Sequence, residues 1–544
     1  MIRLSDLALP LDHTPQQLDA AIAQRLGVAP QRILRRTMVR RGNDARKKGA
    51  IKLVYVFDVE VDDEAEVLAR LDGDSHVRPA PDTAYRPPVV APDGWAGDKE
   101  GERPVVIGAG PCGLLAALIL AEMGLKPIII ERGTAVRERT KDTWALWRKN
   151  KLTPESNVQF GEGGAGTFSD GKLYSRIKDP RHLSRKVLTE FVKAGAPDDI
   201  LYEAHPHIGT FRLVTMVISM RETIETLGGE YRFQTRVADF DIKDGVLRGL
   251  HLVSTRDGAE SYLPARHCIL APGHSSRDTF EVLHQRGVFM EAKPFAIGVR
   301  IEHPQSWVDK ARYGACAGHP VLGAAAYAIS HQASNGRAVY SFCMCPGGRV
   351  VAATSEEGRV VTNGMSQYSR AEFNANSGLV VTVDPGKDYP ADPLAGIEFQ
   401  RKWESLAFTA GGGDYCAPGQ KVGDLLAGRA SSGDFGAVKP SYQPGVKLTD
   451  LSACLPDYVL DAIREALPVF GRQIPMYDHP DVVMTGVETR TSSPLRITRG
   501  KDFQSLNTRG LYPAGEGAGY AGGILSAAVD GIKVAEALAV EVLK

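Results

Sequence analysis

Three glycines at fixed spacing carry the strongest chemical signal in this chain: Gly108, Gly110 and Gly113, in the stretch VVIGAGPCGLLAALILAEMG at residues 105–124. The first permits a tight turn out of a strand. The second lets the backbone approach a pyrophosphate with no Cβ in the way, and the third lets the following helix pack close to the sheet. Ala109, Pro111 and Cys112 fill the turn and the first helical positions. There, free N–H groups and the positive end of the helix dipole face phosphate oxygens. A second apolar run, residues 127–130, ends in Glu131, with Arg132 beside it. An acid about 20 positions beyond the fingerprint accepts hydrogen bonds from ribose hydroxyls. Strand, turn, helix and terminal acid together predict a dinucleotide site.

Residues 510–537 read GLYPAGEGAGYAGGILSAAVDGIKVAEA. A short apolar strand enters Ala-Gly-Glu, a Gly-rich turn follows, and a helix of small and apolar residues comes after it. This resembles the C-terminal flavin segment of FAD proteins of the glutathione-reductase-like class. The resemblance implies that Gly515 and Glu516 bind the ribityl chain and that Gly522, Gly523 and Ile524 open a helix aimed at the isoalloxazine. Glu516 stands where many such proteins have Asp. A third segment, NVQFGEGGAGTFSDGKL at residues 157–173, holds five glycines around Thr167 and Ser169. Its Gly163, Gly164, Ala165, Gly166 and Thr167 can turn backbone N–H groups toward a phosphate or flavin edge, and Phe160 and Phe168 anchor it. A fourth, CILAPGHS at residues 268–275, resembles the strand-turn that re-enters an FAD domain after its β-meander. It implicates Ala271 and Gly273, with Pro272 replacing the usual Thr.

Together these segments resemble bacterial FAD-dependent dehydrogenases, also described as NAD(P)/FAD-dependent oxidoreductases, over nearly the whole chain. More particular strings are PFAIGVRIEHPQ (residues 294–305), SFCMCPGG (341–348) and NGMSQYSR (363–370). The resemblance implies FAD as cofactor, a single dinucleotide site and a small N-terminal α/β extension. It also implies that a strand at residues 231–237 passes the adenine end, with Val237 a backbone contact. One GxGxxG is present: the triple Gly at 411–413 and the pair at 347–348 lack a strand-helix context. No CxxxxC dithiol follows the first nucleotide helix. A dedicated NADPH domain is therefore not expected, and a nicotinamide would dock transiently on the flavin face.

Candidates for the remaining chemistry are His274, Cys343, Cys345 and Arg490. His274 follows the Pro-Gly turn and reads as a proton donor or a structural hydrogen bond. Cys343 and Cys345, two thiols close in sequence, read either as a redox-active pair or as core packing, since i and i+2 side chains of a strand share one face, often in a core. Arg490 or Arg496 can grip a carboxylate in a bidentate fork, or form a salt bridge between domains. His205 and His207 flank Pro206 without further clustered ligands, so no metal site is expected.

These residues need a scaffold, and 544 residues imply two or three domains. The expected fold class is α/β: a Rossmann-like FAD-binding domain with a discontinuous α+β substrate domain and a small N-terminal ferredoxin-like module. The module spans residues 1–75 and a Pro-rich linker spans 76–103. The FAD domain takes 104–275 and 482–544, and the substrate domain is inserted at 276–481. Within the module, Thr14 reads as an N-cap. A hairpin at 33–40 and 51–61 carries Arg35, Arg36, Arg40 and Arg41, with Arg46, Lys47 and Lys48 in its loop. It is either a grip for an acidic partner or RNA, or a solvated hairpin whose charges balance locally. Residues 241–253 and 261–270 read as meander strands.

The formal net charge of zero gives no global pull toward nucleic acid or anionic membrane. No apolar run is long enough for a membrane span, and residues 1–15 lack a signal-peptide pattern. Seven cysteines without a framework fit reduced thiols in a cytoplasm. The reading is an FAD-dependent oxidoreductase passing hydride at flavin N5 to or from a small molecule, with NAD(P)H a transient donor. Nucleic acid and membrane are not expected as partners. Two alternatives stand beside it: a flavin-dependent RNA-modifying enzyme that grips phosphates with the basic hairpin, and a non-catalytic flavin-binding redox or partner protein.

Overall fold

A computed structural model of the protein describes residues 1–95, 97 and 101–544. Residues 96 and 98–100 of the expected linker lie outside the described residues. The nucleotide domain is built on five parallel strands of three residues each, in the order Leu511–Pro513, Cys268–Leu270, Val105–Ile107, Ile128–Ile130 and Glu230–Arg232. The three central strands are entirely buried. That explains their continuous apolar runs, since a parallel sheet covered on both faces has no wet side. The helix Pro111–Glu122 is apolar all round, because it lies between the sheet, the helix Thr210–Thr226 and the helix Ile524–Val542. A Cβ at Gly531 of the last helix would fall on the Cys112 carbonyl oxygen, so these two helices approach backbone to backbone.

Beside this sheet lies an antiparallel meander, Thr235–Lys243, Val246–Ser254 and Glu260–Pro264. The strands expected at 231–237 and 241–253 divide differently. Gln234, with φ of 51°, ends the parallel strand and sends the chain into the meander. Asp244 and Gly245, both at positive φ, make the hairpin turn inside the second stretch.

The insert folds around a seven-stranded sheet ordered Ser330–Gln332, Ala338–Cys345, Asn374–Val383, Phe295–Pro304, Val483–Glu488, Ala417–Lys421 and Val446–Leu448. Phe295–Pro304 is buried along its whole length, including Arg300 and Glu302. The boundaries expected at 276 and 481 are both corrected. Val483–Glu488 pairs antiparallel with Phe295–Pro304 and Ala417–Lys421, inside the insert sheet. The helix Arg277–Gln285 instead buries Phe280 and Leu283 in the core that holds Val105 and Cys268, and Met290–Ala292 pairs with Leu495–Ile497. Hydrogen bonding and burial, not sequence adjacency, decide where each segment belongs.

The N-terminal module is β-α-β-β-α-β, with an antiparallel sheet ordered Ile33–Asp44, Lys52–Val61, Ile2–Pro10 and Val77–Pro79. Thr14 caps the helix Pro15–Leu26 in a reciprocal capping box with Gln17. Val77–Pro79 is an edge strand, where proline is tolerated, so the linker begins after it. The basic hairpin is partly consumed by internal pairing. Arg36 meets Asp19 at 2.6 Å and Arg46 meets Asp44 at 2.5 Å. Arg41 pairs with Glu203, and its backbone bonds Tyr202 and Ala204 at 2.6 and 2.7 Å. No helix among the described residues is long and apolar enough to cross a membrane.

Candidate functional site

A cavity of about 340 Å³ lies where the nucleotide domain faces the insert sheet. Its floor collects the C-terminal ends of the parallel strands, the place where open α/β sheets bind ligands. Gly108 takes φ of 97°, and a Cβ there would meet the Ala271 carbonyl. A Cβ on Gly113 would fall on the Gly108 carbonyl oxygen, so the turn and the helix lock together only as glycines. Gly110 caps the helix Pro111–Glu122 without a side-chain hydrogen bond, and Gly523 does the same for Ile524–Val542. Both helix starts line the cavity. Two uncapped helix N-termini aimed into one space make a cradle for anionic and electron-rich groups.

Glu131 lines the same floor, and its carboxylate accepts from Ala109 N, Gly133 N and Gly161 N, each at 2.9 Å. These three bonds fix its rotamer and leave acceptor capacity for hydroxyls. The Gly-rich loop is held from behind by Arg139, which is fully buried. Its guanidinium donates to the carbonyls of Asn157, Val158 and Glu162 at 2.7–2.8 Å. Burial pulls this arginine down to about 10 despite Glu131 and Glu162. The adenosine-pyrophosphate and ribityl requirements of a flavin dinucleotide fit this floor.

The opposite wall comes from the insert: Phe342, Cys343, Asn363, Glu488, Arg490 and Thr491. Arg300 organises it from beneath. Its Nε lies 2.6 Å from Glu488 Oε2, one Nη donates to the Cys343 carbonyl at 2.9 Å, and the other to Asn363 Oδ1 at 3.0 Å. Burial pushes Glu488 up to about 7, against the pull of Arg300, so the wall carries a carboxyl that exchanges its proton near neutrality. The Cys343 thiol is open to the cavity, while the Cys345 thiol is buried and donates to the Cys343 carbonyl at 3.3 Å.

Most residues singled out from the sequence meet at this cavity. Gly108, Gly110, Pro111, Cys112, Glu131, Gly164, Ala165, Gly166, Ala271, Gly273, Gly515, Glu516, Gly522, Gly523 and Ile524 line it, as do His274, Cys343 and Arg490. Others do not. Ala109, Gly113, Gly163 and Thr167 sit behind the lining as supports. Arg132 turns away, bonding Glu155 at 2.7 Å and Asp278 at 2.9 Å while covering the Phe160 ring. Val237 is buried in the meander, paired with Leu252. Cys345 stays in the strand.

Arg490 lines the cavity but is already engaged. Its Nε and one Nη grip Glu404 at 3.1 and 3.0 Å, and its other Nη donates to Ser275 and Ser355 at 3.1 and 2.7 Å. It is a bridge between domains rather than a free fork. Arg496 faces the Tyr520 ring, away from the cavity. His274 Nδ1 lies 3.6 Å from Glu516 Oε1, and its buried Nε2 has no hydrogen-bond partner.

Sequence reading gave no role to Glu488, Arg300, Asn363, Asp170 or Lys172. The signal for Arg300 was present: an arginine inside the apolar run PFAIGVRIEHPQ has to be paired to be buried. Lys172 and Asp170 lie in the Gly-rich string at a spacing that marks no chemistry of its own. Asp170 is buried, held by Arg370 at 2.6 Å, and lies 3.8 Å from Lys172 Nζ.

Comparison with known proteins adds the following. A family model described as "FAD-dependent protein, C-terminal domain-like" matches residues 294–491, the span found above for the insert sheet. An "FAD binding domain" model matches residues 103–142, and a domain of unknown function matches residues 1–60. An uncharacterized protein of Clostridium beijerinckii is 47% identical over 536 residues, covering 98% of each chain. Among solved structures, the flavin-dependent brominase Bmp2 aligns with a TM-score of 0.37 at 14% identity, over 81% of this chain and 79% of that one. L-proline dehydrogenase from P. horikoshii aligns with a TM-score of 0.32 at 13% identity, over 80% and 93%.

Proposed function

Because the chain belongs to the family of FAD-dependent proteins, we propose that it is an oxidoreductase whose substrate is a small molecule held between the nucleotide cradle and the insert sheet. FAD is its cofactor. The start of Pro111–Glu122 would hold the pyrophosphate, Glu131 the adenosine ribose and Glu516 the ribityl chain. The start of Ile524–Val542 would face the ring. Bound there, FAD supplies hydride transfer at N5.

The chain's own residues supply the rest. Phe342 and Asn363 shape the wall against which a substrate rests. Glu488 holds a proton below about pH 7 and releases it above. His274 sets its Nδ1 beside Glu516 and leaves its Nε2 without a partner. Arg490, Glu404 and Arg277 clamp the two domains together and keep water from the seam. A reduced nicotinamide dinucleotide is the proposed electron donor, docking transiently because the sequence carries a single dinucleotide fingerprint. All seven cysteines are free thiols, which supports a cytoplasmic setting.

One observation carries this reading: the uncapped starts of two helices and the titratable groups of the insert sheet face the same cavity. Anaerobic purification followed by an absorbance scan tests it, with a metabolite panel and NAD(P)H then scored by bleaching of the flavin band. The expected result is a yellow protein bleached by at least one donor. Flavin that stays oxidised with every donor would overturn the reading in favour of a non-catalytic flavoprotein. Glu131→Ala is expected to lower FAD retention at least tenfold, about 1.4 kcal/mol, whereas an exposed glutamate replacement leaves it unchanged.

A further inference from the structure

We propose that Cys343 and Cys345 form a dithiol/disulfide couple on the cavity wall, through which the enzyme reduces a small organic disulfide. This rests on the oxidoreductase reading and names the substrate class of the same site.

The backbone is the first support. In a regular strand, residues i and i+2 stand side by side without meeting. Here the ladder with Asn374–Val383 loses register between Phe342 and Cys345. Cys343 takes φ of 45°, a left-handed conformation that costs a non-glycine residue energy and is kept where the surroundings enforce it. What enforces it is visible: Arg300 donates to the Cys343 carbonyl from one side at 2.9 Å, and the Cys345 thiol donates to the same carbonyl at 3.3 Å. The irregularity places Cys343 on the cavity lining and sets the buried Cys345 thiol against the Cys343 carbonyl.

Electrostatics is the second support. The neighbouring Cys345 side chain holds the Cys343 sulfur well below the usual thiol range, aided by Lys172 and Arg300 against the opposing effect of burial. Cys345 is pushed the other way by Cys343 and by burial. An open thiolate backed by a protonated partner is the division of labour between an attacking and a resolving cysteine. The remaining five cysteines have no such partner.

The chemistry closes as follows. The Cys343 thiolate attacks one sulfur of R–S–S–R. A Cys343–S–S–R bond forms, and RS⁻ leaves and takes up a proton, for which the Glu488 carboxylic acid stands on the same wall. Cys345 then attacks Cys343 Sγ, giving up its own proton to the second RS⁻ as it departs. A Cys343–Cys345 disulfide remains. Reopening it takes an electron pair and a proton from a reduced nicotinamide, which bound FAD would relay; Cys343 returns to thiolate, Cys345 takes the proton, and Glu488 regains its own from solvent. The sum is one reduced nicotinamide, one proton and one disulfide consumed, and one oxidised nicotinamide and two thiols formed. Cys343 lines a cavity of about 340 Å³ rather than a flat surface, which favours a small disulfide over one on a folded protein.

The test uses the full-length holoprotein, reduced, desalted without oxygen and treated with cystamine. The readout is mass spectrometry after alkylation. The expected result is two cysteamine molecules released per chain and a peptide spanning residues 343–345 that carries an internal disulfide. C345S is expected to retain a single cysteamine adduct on Cys343, and C343S is expected to carry none in this peptide. Two alkylatable thiols in the treated wild type, or an adduct on Cys345 in C343S, would overturn the proposal. Flavin content and bleaching by NADPH, read on the same sample, separate the two levels. Reducible flavin with inert thiols ends the dithiol proposal alone. Absent flavin ends the oxidoreductase reading, and with it the proposal.

Discussion

Glu404 never reaches the cavity, yet it holds the seam between the domains. It is fully buried and accepts from Arg277 at 2.7 and 3.0 Å, from Arg490 at 3.0 and 3.1 Å and from Thr489 at 2.8 Å. Glu404→Ala leaves two buried guanidiniums short of a counter-charge and is expected to destabilise the protein by about 3–5 kcal/mol in denaturant unfolding. Burial works against the charged form, and the two arginines outweigh it and hold Glu404 well below the ordinary carboxylate range. Its contribution is therefore complete above the ordinary value near 4.3 and is lost as pH falls toward the depressed one. Glu488 has the opposite sign. Its raised value means that stability is lost as pH rises from about 4.3 through about 7. Glu488→Gln is expected to flatten this slope, worth on the order of 3 kcal/mol, in unfolding curves measured between about pH 5 and 8. At this scale the sequence was legible where one short segment holds all the parts, as in Gly108, Gly110 and Gly113. It was not legible where the partner is distant in the chain: nothing near Glu488 announces Arg300, and nothing near Arg490 announces Glu404.

Among the elements, the contact between Pro111–Glu122 and Ile524–Val542 is the most exacting. Gly531→Ala puts a methyl group onto the Cys112 carbonyl. Neither helix can yield without moving its N-terminus in the cavity. The expected cost is about 1–3 kcal/mol, read as a lower Tm, together with weaker FAD retention. A small-to-large change on an exposed helix face would cost stability without affecting the flavin. The helices were readable because they are long and periodic, or uniformly apolar. The boundaries around residues 231–253 were not, because single residues with left-handed backbone, Gln234 and Asp244, divide apolar runs that look continuous in sequence.

For the whole molecule, the cavity has walls from two domains, so cofactor binding ties them thermodynamically. Stripping FAD and restoring it at 100 times its Kd is expected to stabilise the fold by about 2.7 kcal/mol. Calorimetry should register the shift in the unfolding of both domains, whereas a shift confined to one would mean that the insert does not share the site. Overall class and cofactor were legible because motifs are local. Domain limits were not, because Val483–Glu488 is followed in sequence by the final flavin segment yet pairs in the other sheet. The order of strands in the nucleotide sheet has a further consequence. Its central strand, Val105–Ile107, leaves the ribosome early, while Leu511–Pro513 and the helix Ile524–Val542 are made only after the entire insert. During synthesis the half-built sheet must wait with an open edge and an unroofed apolar helix, the condition in which nascent chains aggregate. The helix that completes the flavin cradle is therefore made only after the insert, so cofactor capture becomes a quality check on the synthesis of that insert.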